Sequence, residues 1–389
     1  MRRRVVSAAV LFTALAMAAG CSNNNKGRPD QAGFGGRSDG VTPSASASAS
    51  VTPSHSPGAS PSAPATTSSS SSGGGLGPVT HSAIASKAAF VWNPNASADY
   101  TATGSYWYNS TGGGISIAHT STGRYTITYA GLGTSGGVAH VQAYGSTSNW
   151  CNVVNWGASG ADEKVNVACY ASNTAPADTQ FVANFAVGHQ STAHFSYLWS
   201  DQASATGKHN ANVTYRYDST GREPWIERIS AGKYRVFLPA SYDEQNEPNT
   251  IQVTTYGAST FRCKVSKPYA GAGIHEVLCT DAPGTLYDAR FVVSFSAEGS
   301  IIGRTDNRFG DYTQTSAGVT QSGTGVYNVP AQEMGSPRGQ VVATAIGNTA
   351  SYCHVGNWYP SSTTLIMVVR CYAPNGSPTN AGFRLGVSW

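Results

Sequence analysis

Apolar and polar residues alternate in short runs along most of the chain after about residue 85. Val213-Thr-Tyr-Arg-Tyr217, Lys233-Tyr-Arg-Val-Phe237, Thr250-Ile-Gln-Val-Thr254 and Arg290-Phe-Val-Val-Ser-Phe295 are examples. They are rich in Val, Tyr, Thr and Phe, and Gly, Asn, Pro or Ser cut them off. A period of two built from β-branched and aromatic residues predicts strands. No long 3.6-residue period occurs outside the N-terminal segment, so the expected fold is all-β.

The strand runs recur in a larger unit. Gly123-Arg-Tyr125-Thr-Ile127 returns as Gly232-Lys-Tyr234-Arg-Val236 and as Gly325-Val-Tyr327-Asn-Val329. Val141-Gln-Ala-Tyr144-Gly145 returns as Val253-Thr-Thr-Tyr256-Gly257 and, more loosely, as Thr344-Ala-Ile346-Gly347. Cys151-Asn-Val153, Cys263-Lys-Val265 and Cys353-His-Val355 follow, two of them running on to Trp156 and Trp358, where the middle copy has Pro268-Tyr269. Each copy closes on Asp178/Phe181, Asp288/Phe291 or Asn380/Phe383. These anchors define three repeats of roughly 100 residues, at about 86–189, 190–300 and 301–389. The third departs at its start, where Phe309 to Gly318 lacks the strand seen at Tyr106–Ser110 and Tyr215–Ser219.

Each repeat also divides. Asn109–Gly114 followed by Ile115–His119 parallels Asn155–Gly160 followed by Val165–Cys169, with Ile117 matching Val167 and Tyr125 matching Phe181. A four-stranded unit of about 50 residues is the size of a propeller blade. The preferred expectation is therefore a six-bladed β-propeller with two blades per repeat. Three tandem β-sandwich modules are the alternative.

Seven cysteines divide into six and one. Cys151/Cys169, Cys263/Cys279 and Cys353/Cys371 are separated by 18, 16 and 18 residues, which predicts one bridge per repeat between neighbouring strands. Such a loop contributes about 3 kcal/mol in the chain-entropy account. Cys21 stands alone after Arg2, Arg3, Arg4, an apolar run from Val5 to Ala19, and the small residues Ala18, Ala19 and Gly20. The run is short for a membrane span. It resembles a bacterial lipoprotein signal over residues 1–20, although Ala18 stands where leucine is usual. That resemblance implies lipid on Cys21 and display outside the cytoplasm. Residues 21–80 are Ser, Pro, Ala, Gly, Thr and Asn with scarcely any large apolar side chain, which predicts a disordered tether ahead of an all-β domain at 81–389.

Charge narrows the function. The chain carries a formal +4, but removing Arg2, Arg3, Arg4, Lys26, Arg28 and Arg37 together with Asp30 and Asp39 leaves 18 basic and 18 acidic residues. A balance of zero argues against nucleic acid as a partner. No nucleophile elbow, Walker loop, zinc motif or EF-hand string occurs, so no metal or cofactor is expected. Between Gln190 and Ser300 lie 21 of the 36 charged residues of the repeats. Glu223, Glu227 and Arg228, with the loop residues Asp243, Glu244 and Glu247, are the candidate ligand rim. The competing reading is a solvated face with exposed ion pairs. His119, at the strand position of Cys169 in the half-repeat, reads as a sheet residue. Trp92, Trp199, Trp156 and Trp358 recur at matched positions, which points to packing first and sugar stacking second.

Taken together, G-x-Y-x-V, V-x-A-Y-G, C-x-V-x-x-W, V-x-C and D-x-x-F resemble the repeats of uncharacterised secreted and lipoprotein repeat proteins of actinobacteria. The resemblance covers nearly all of residues 86–389 and implies an extracytoplasmic protein, with no activity to carry over. The functional expectation is a membrane-anchored, non-catalytic binding module for a glycan or envelope ligand. The alternatives are a propeller hydrolase using channel carboxylates and a purely structural surface protein.

Overall fold

The computed structural model describes residues 85–188, 194–242, 249–297, 311–312, 318–331, 335 and 339–388. Repeat 1 holds β1 (Ala85–Asn93), β2 (Tyr100–Thr101), β3 (Trp107–Asn109), β4 (Ile115–Ser121), β5 (Arg124–Tyr129), β6 (Val138–Ala143), β7 (Trp150–Ser159), β8 (Asp162–Tyr170) and β9 (Phe181–Gly188). Repeat 2 follows the same course as β10 (Phe195–Ser200), β11 (Gly207–Asn210), β12 (Arg216–Asp218), β13 (Trp225–Ser230), β14 (Lys233–Phe237), β15 (Asn249–Thr255), β16 (Arg262–Gly271), β17 (Ile274–Thr280) and β18 (Phe291–Ala297). Repeat 3 supplies β19 (Asp311–Tyr312), β20 (Thr320–Gly323), β21 (Val326–Ala331), β22 (Gln340–Ile346), β23 (Tyr352–Ser361), β24 (Thr364–Tyr372) and β25 (Gly382–Ser388).

The chain is all-β with one disulfide per repeat. Cys151–Cys169, Cys263–Cys279 and Cys353–Cys371 each join directly opposed residues of an antiparallel hairpin, with Cα atoms 4.0–4.1 Å apart. One predicted strand is corrected. Val213–Tyr215 is a single 3-10 turn because the Asn212 side chain accepts the Thr214 N–H at 3.0 Å, and the strand starts at Arg216. At the atypical start of repeat 3, β19 pairs with β25 as β1 pairs with β9.

Each repeat forms two sheets. The first has the order β3-β1-β9-β6, β12-β10-β18-β15 or β19-β25-β22; the second has the order β2-β4-β5-β8-β7, β11-β13-β14-β17-β16 or β20-β21-β24-β23. These orders do not follow the half-repeat. β1 pairs with β9 across nearly the whole of repeat 1, so neither sheet is a blade of four consecutive strands. Tyr125 and Phe181, which the half-repeat makes equivalents, face one another from opposite sheets with ring centroids 5.0 Å apart. Tyr234–Phe291 and Tyr327–Phe383 repeat the contact at 5.2 and 5.0 Å. Ile117 and Val167 lie in one sheet. The apparent half-repeat therefore reflects runs of like composition, some sharing one sheet and others facing across the two.

The repeat signature has a local cause. Gly123, Gly232 and Gly325 turn at φ of 64–67°, and a Cβ there would collide with the carbonyl of the second cysteine. Their N–H groups donate to Asp178, Asp288 and Asn380 at 2.7–2.8 Å. The hydroxyls of Tyr125, Tyr234 and Tyr327 accept backbone N–H groups from Thr179, Ala289 and Ala381 at 2.8–3.2 Å. Gly, Tyr, Asp and Phe thus form one lock between a hairpin turn and the strand that follows.

The repeats are joined in a cycle. The Gly257 N–H donates to Val153 O at 2.8 Å, the Gly347 N–H to Ser266 O at 3.0 Å, and the Gly145 N–H to Val355 O at 3.1 Å. Repeat 2 thus bonds repeat 1, repeat 3 bonds repeat 2, and repeat 1 bonds repeat 3. A β-bulge at the same place in β7, β16 and β23 turns these carbonyls away from their own sheet. The donating glycines sit at φ of 95–110°, a region that other residues enter at a cost. Aromatic quartets fill two of the junctions. Trp92, Tyr106 and Tyr144 meet Trp358, and Trp199, Tyr215 and Tyr256 meet Trp156, at 5.0–6.3 Å between centroids. At the third junction Arg384 lies over Tyr269.

Replacing buried Trp358 by Ala should cost about 3–5 kcal/mol, whereas Ala at its exposed neighbour Tyr359 should change stability by about 0.5 kcal/mol or less; chemical denaturation of both variants checks this. Removing residues 301–389 takes away Trp358 and both bonds that repeat 3 makes. The remaining chain is expected to melt lower than the whole and to self-associate, as read by circular dichroism and size-exclusion chromatography.

Candidate functional site

The three described residues of the predicted rim, Glu223, Glu227 and Arg228, are engaged separately and not gathered into one site. Glu223 takes bonds from Arg216 (2.6 Å) and Asn210. Glu227 and Arg228 are consecutive on β13 and so point to opposite faces of the sheet. Glu227 lies 3.9 Å from Arg235, and Arg228 binds Asp288 at 2.8–3.0 Å. Asp243, Glu244 and Glu247 lie outside the described residues, as do Cys21 and the tether. Arg228 belongs to the Gly-Tyr-Asp lock. Burial works against the charged form of Asp288, but the bonds from Arg228, Gly232 and Tyr234 outweigh it and hold the carboxyl below its usual range. His119 and Gln321 fill the same place in the other repeats, at 2.8 Å from Asp178 and 2.7 Å from Asn380. The expectation that His119 is a sheet residue agrees with this placement.

Two concave features remain. The first lies at the centre of the cycle. The residues before and after each first cysteine share a strand face, and the three faces converge. Trp150, Arg262 and Tyr352 form one layer, with the guanidinium 4.5 Å from each ring. Asn152, Lys264 and His354 form the next, and each reaches into the following repeat. Asn152 donates to Ser259 O and Phe261 O at 2.7 and 3.1 Å, and His354 Nε2 donates to Thr147 O at 2.9 Å. Lys264 lies 3.5 Å from Ile346 O and 3.4 Å from Ser351 Oγ. A cavity of about 80 Å³ separates them, and its described lining contains no carboxylate. Beyond it His140 bonds Thr254 and Ser294 at 3.0 and 2.8 Å. Burial lowers His140 to about 3, His354 to about 4 and Lys264 to about 8.

The second feature is an open cleft of about 590 Å³ in repeat 2, beside its junction with repeat 1. Asp201, Gln202, Ser204, Tyr256, Ser259, Phe261, Asp288 and Arg290 line it. One buried oxygen of Asp201 has no hydrogen-bond partner. Tyr287, 49% exposed, stacks on Phe261 with centroids 4.4 Å apart. Repeat 1 carries Gln180 where repeat 2 has Arg290, and the Gln180 amide donates to Pro94 O at 2.6 Å, tying down the matching loop. Arg290 instead lies exposed over Tyr256, 5.0 Å from the ring centroid. Composition did not reveal this site. Its signal was a substitution between aligned repeats, Gln to Arg two residues after the lock aspartate.

Two buried polar clusters resemble chemistry but are sealed. Ser241 and His275 are 2.8 Å apart and wholly buried. His275 Nδ1 accepts the Tyr269 N–H at 3.1 Å, so Nε2 carries the proton and donates to Ser241, which in turn donates to Leu238 O. The imidazole is thus oriented away from the role of a base toward serine. Glu163 is wholly buried where repeats 2 and 3 have Gly273 and Leu365. Burial pushes its carboxyl up to about 7, against the pull of the Thr134 N–H and Lys87. Among the described residues no His, Cys, Asp and Glu group has metal-site geometry, and no helix is long and apolar enough to cross a membrane. Comparison with protein-family models, curated proteins and solved structures returned no match.

The Glu163 environment sets a pH dependence. The folded chain keeps a proton that the unfolded chain releases above its ordinary value of 4.5, so this stabilisation is complete below that value and is lost as pH rises through about 7. Glu163→Gln should melt higher than wild type near about pH 8, with the gap closing near about pH 4. Melting curves at both pH values check the sign. The buried histidines act oppositely, losing stability as pH falls below about 6.5.

Proposed function

We propose that this chain is an extracytoplasmic binding module that takes a polyhydroxylated ligand, a glycan, in the cleft of repeat 2. The observation that carries the reading is the combination there of acidic, amide, hydroxyl and guanidinium groups with the Tyr256 and Phe261 rings, the latter backed by exposed Tyr287. Carboxylate and guanidinium pair with vicinal hydroxyls, and an aromatic face suits the C–H face of a sugar. The volume lies within the usual range for a small-ligand site. Three disulfides fit an oxidising compartment. In this reading a lipid on Cys21 holds the protein at the bacterial membrane, and the tether lets the domain reach into the envelope. The working unit is the closed cycle of repeats, a propeller-like closure made with two-sheet modules.

The hydrolase alternative has less support. Asp288 is occupied by Gly232, Arg228 and Tyr234, Ser241–His275 is sealed, and the described lining of the central cavity offers no carboxylate. The purely structural alternative draws on one observation: among the described aromatic residues, only Tyr242, Tyr287 and Tyr359 are exposed.

A glycan array followed by calorimetry tests the reading. Arg290→Ala and Tyr287→Ala should each weaken the bound glycan about tenfold, with little change in melting temperature. Silence across bacterial envelope glycans, or unchanged affinity in both variants, would sink it. Fatty-acid labelling that disappears in Cys21→Ser tests the anchor separately.

A further inference from the structure

We propose that the cavity at the centre of the three repeats is a binding site for one small oxoanion, of carboxylate or phosphate size. The three positions after the first cysteines hold Asn152, Lys264 and His354, and only the neutral Asn152 and His354 find good acceptors in the next repeat. Lys264 carries three donors, yet its nearest acceptors lie at 3.4 and 3.5 Å, at the limit of a hydrogen bond. Arg262, one residue before the cysteine, spends one nitrogen on Ala282 O and Pro374 O, while Nε and Nη1 are buried without an acceptor. Both cations are 7% exposed. Burial works against the charged form of Arg262, while Tyr352 and, less strongly, Asp281 favour it; the Asp281 Oδ1 is occupied by the Gly284 and Thr285 N–H groups at 3.0 and 2.7 Å. No Asp or Glu is among the described residues lining the cavity.

A buried cation is unfavourable unless it is paired and hydrogen-bonded. Lys264 and Arg262 share a space whose described lining holds no carboxylate, and Asp281, which favours Arg262, is not part of that lining. The space of about 80 Å³ exceeds the roughly 10–15 Å³ that one water needs. Charge-assisted bonds from Lys264, with the Arg262 guanidinium behind them, supply the attraction for an oxoanion. The Trp150 and Tyr352 rings hold the guanidinium in place. All three repeats line the cavity, so an anion there would bind the closed cycle and not an isolated repeat. This site is separate from the repeat 2 cleft, and its success or failure is independent of glycan binding.

The test uses the full chain, dialysed free of oxoanions, and measures melting temperature and calorimetric binding against inorganic phosphate and sulfate. Ionic strength is held constant with chloride. Wild type should show a saturable rise in melting temperature and about one site per chain. Lys264→Met and Lys264→Asn, the latter placing in repeat 2 the residue that repeat 1 carries, should weaken phosphate about tenfold or more. Lys267→Met, at an exposed lysine of the same strand, should leave it unchanged. Absence of a saturable effect in wild type overturns the proposal. So does an equal effect in either Lys264 variant, and the two substitutions guard against one of them failing to fold.

Discussion

A single backbone hydrogen bond, made three times, organises this molecule. A glycine at positive φ ends the edge strand of one sheet and donates to a carbonyl of the neighbouring repeat, which a bulge has freed from its own ladder. The direction of the three bonds is the same, so they close on themselves. Closure brings the disulfide hairpins face to face, buries Trp156 and Trp358 in their neighbours' aromatic pockets, and creates the central cavity. The strands of the first sheets are consequently covered on both sides. β9 and β18 read as nearly continuous buried runs, whereas β5, β14 and β21 alternate.

Symmetry in the backbone makes the side-chain exceptions informative. At three equivalent positions the chain places Trp150, Arg262 and Tyr352, and at three others Asn152, Lys264 and His354. Repeat 2 supplies the cation in both layers. It also carries Arg290 where Gln180 closes the corresponding loop of repeat 1, and it holds most of the charged residues of the repeats. Structural work is shared by all three repeats, while polar chemistry is concentrated in one. Duplicated modules whose packing is over-determined can tolerate such divergence, because each disulfide and each Gly-Tyr-Asp lock secures its own repeat. The cost is visible in Glu163, a carboxyl buried where its counterparts are Gly273 and Leu365.

Much of this architecture was legible along the chain. Period-two alternation gave strands, the six paired cysteines gave three hairpins, and the G-x-Y and D-x-x-F anchors marked residues that touch within one repeat. These features are local or recur at fixed intervals, and alternation, spacing and turn chemistry act over a few residues. The capped turn at Val213–Tyr215 was misread because Asn212 competes locally with strand pairing, an effect that alternation does not register. Glu223, Glu227 and Arg228 do not share one face, because charge density along a sequence says nothing about which side of a strand each charge occupies.

The sequence by itself determined an all-β chain of three disulfide-bonded repeats and named the residues that lock each one. Tertiary structure decided how strands were shared between sheets, because β1 and β9 meet across almost a whole repeat and no local pattern records such a partner. It also decided which polar groups stand together. Arg262 meets Trp150 and Tyr352 only because three distant hairpins converge on one axis, and Asp201 shares a cleft with Arg290 only because two loops about 90 residues apart fold side by side. Convergence of that kind is a property of the closed cycle, and a linear pattern carries the contacts inside a repeat far better than those between repeats.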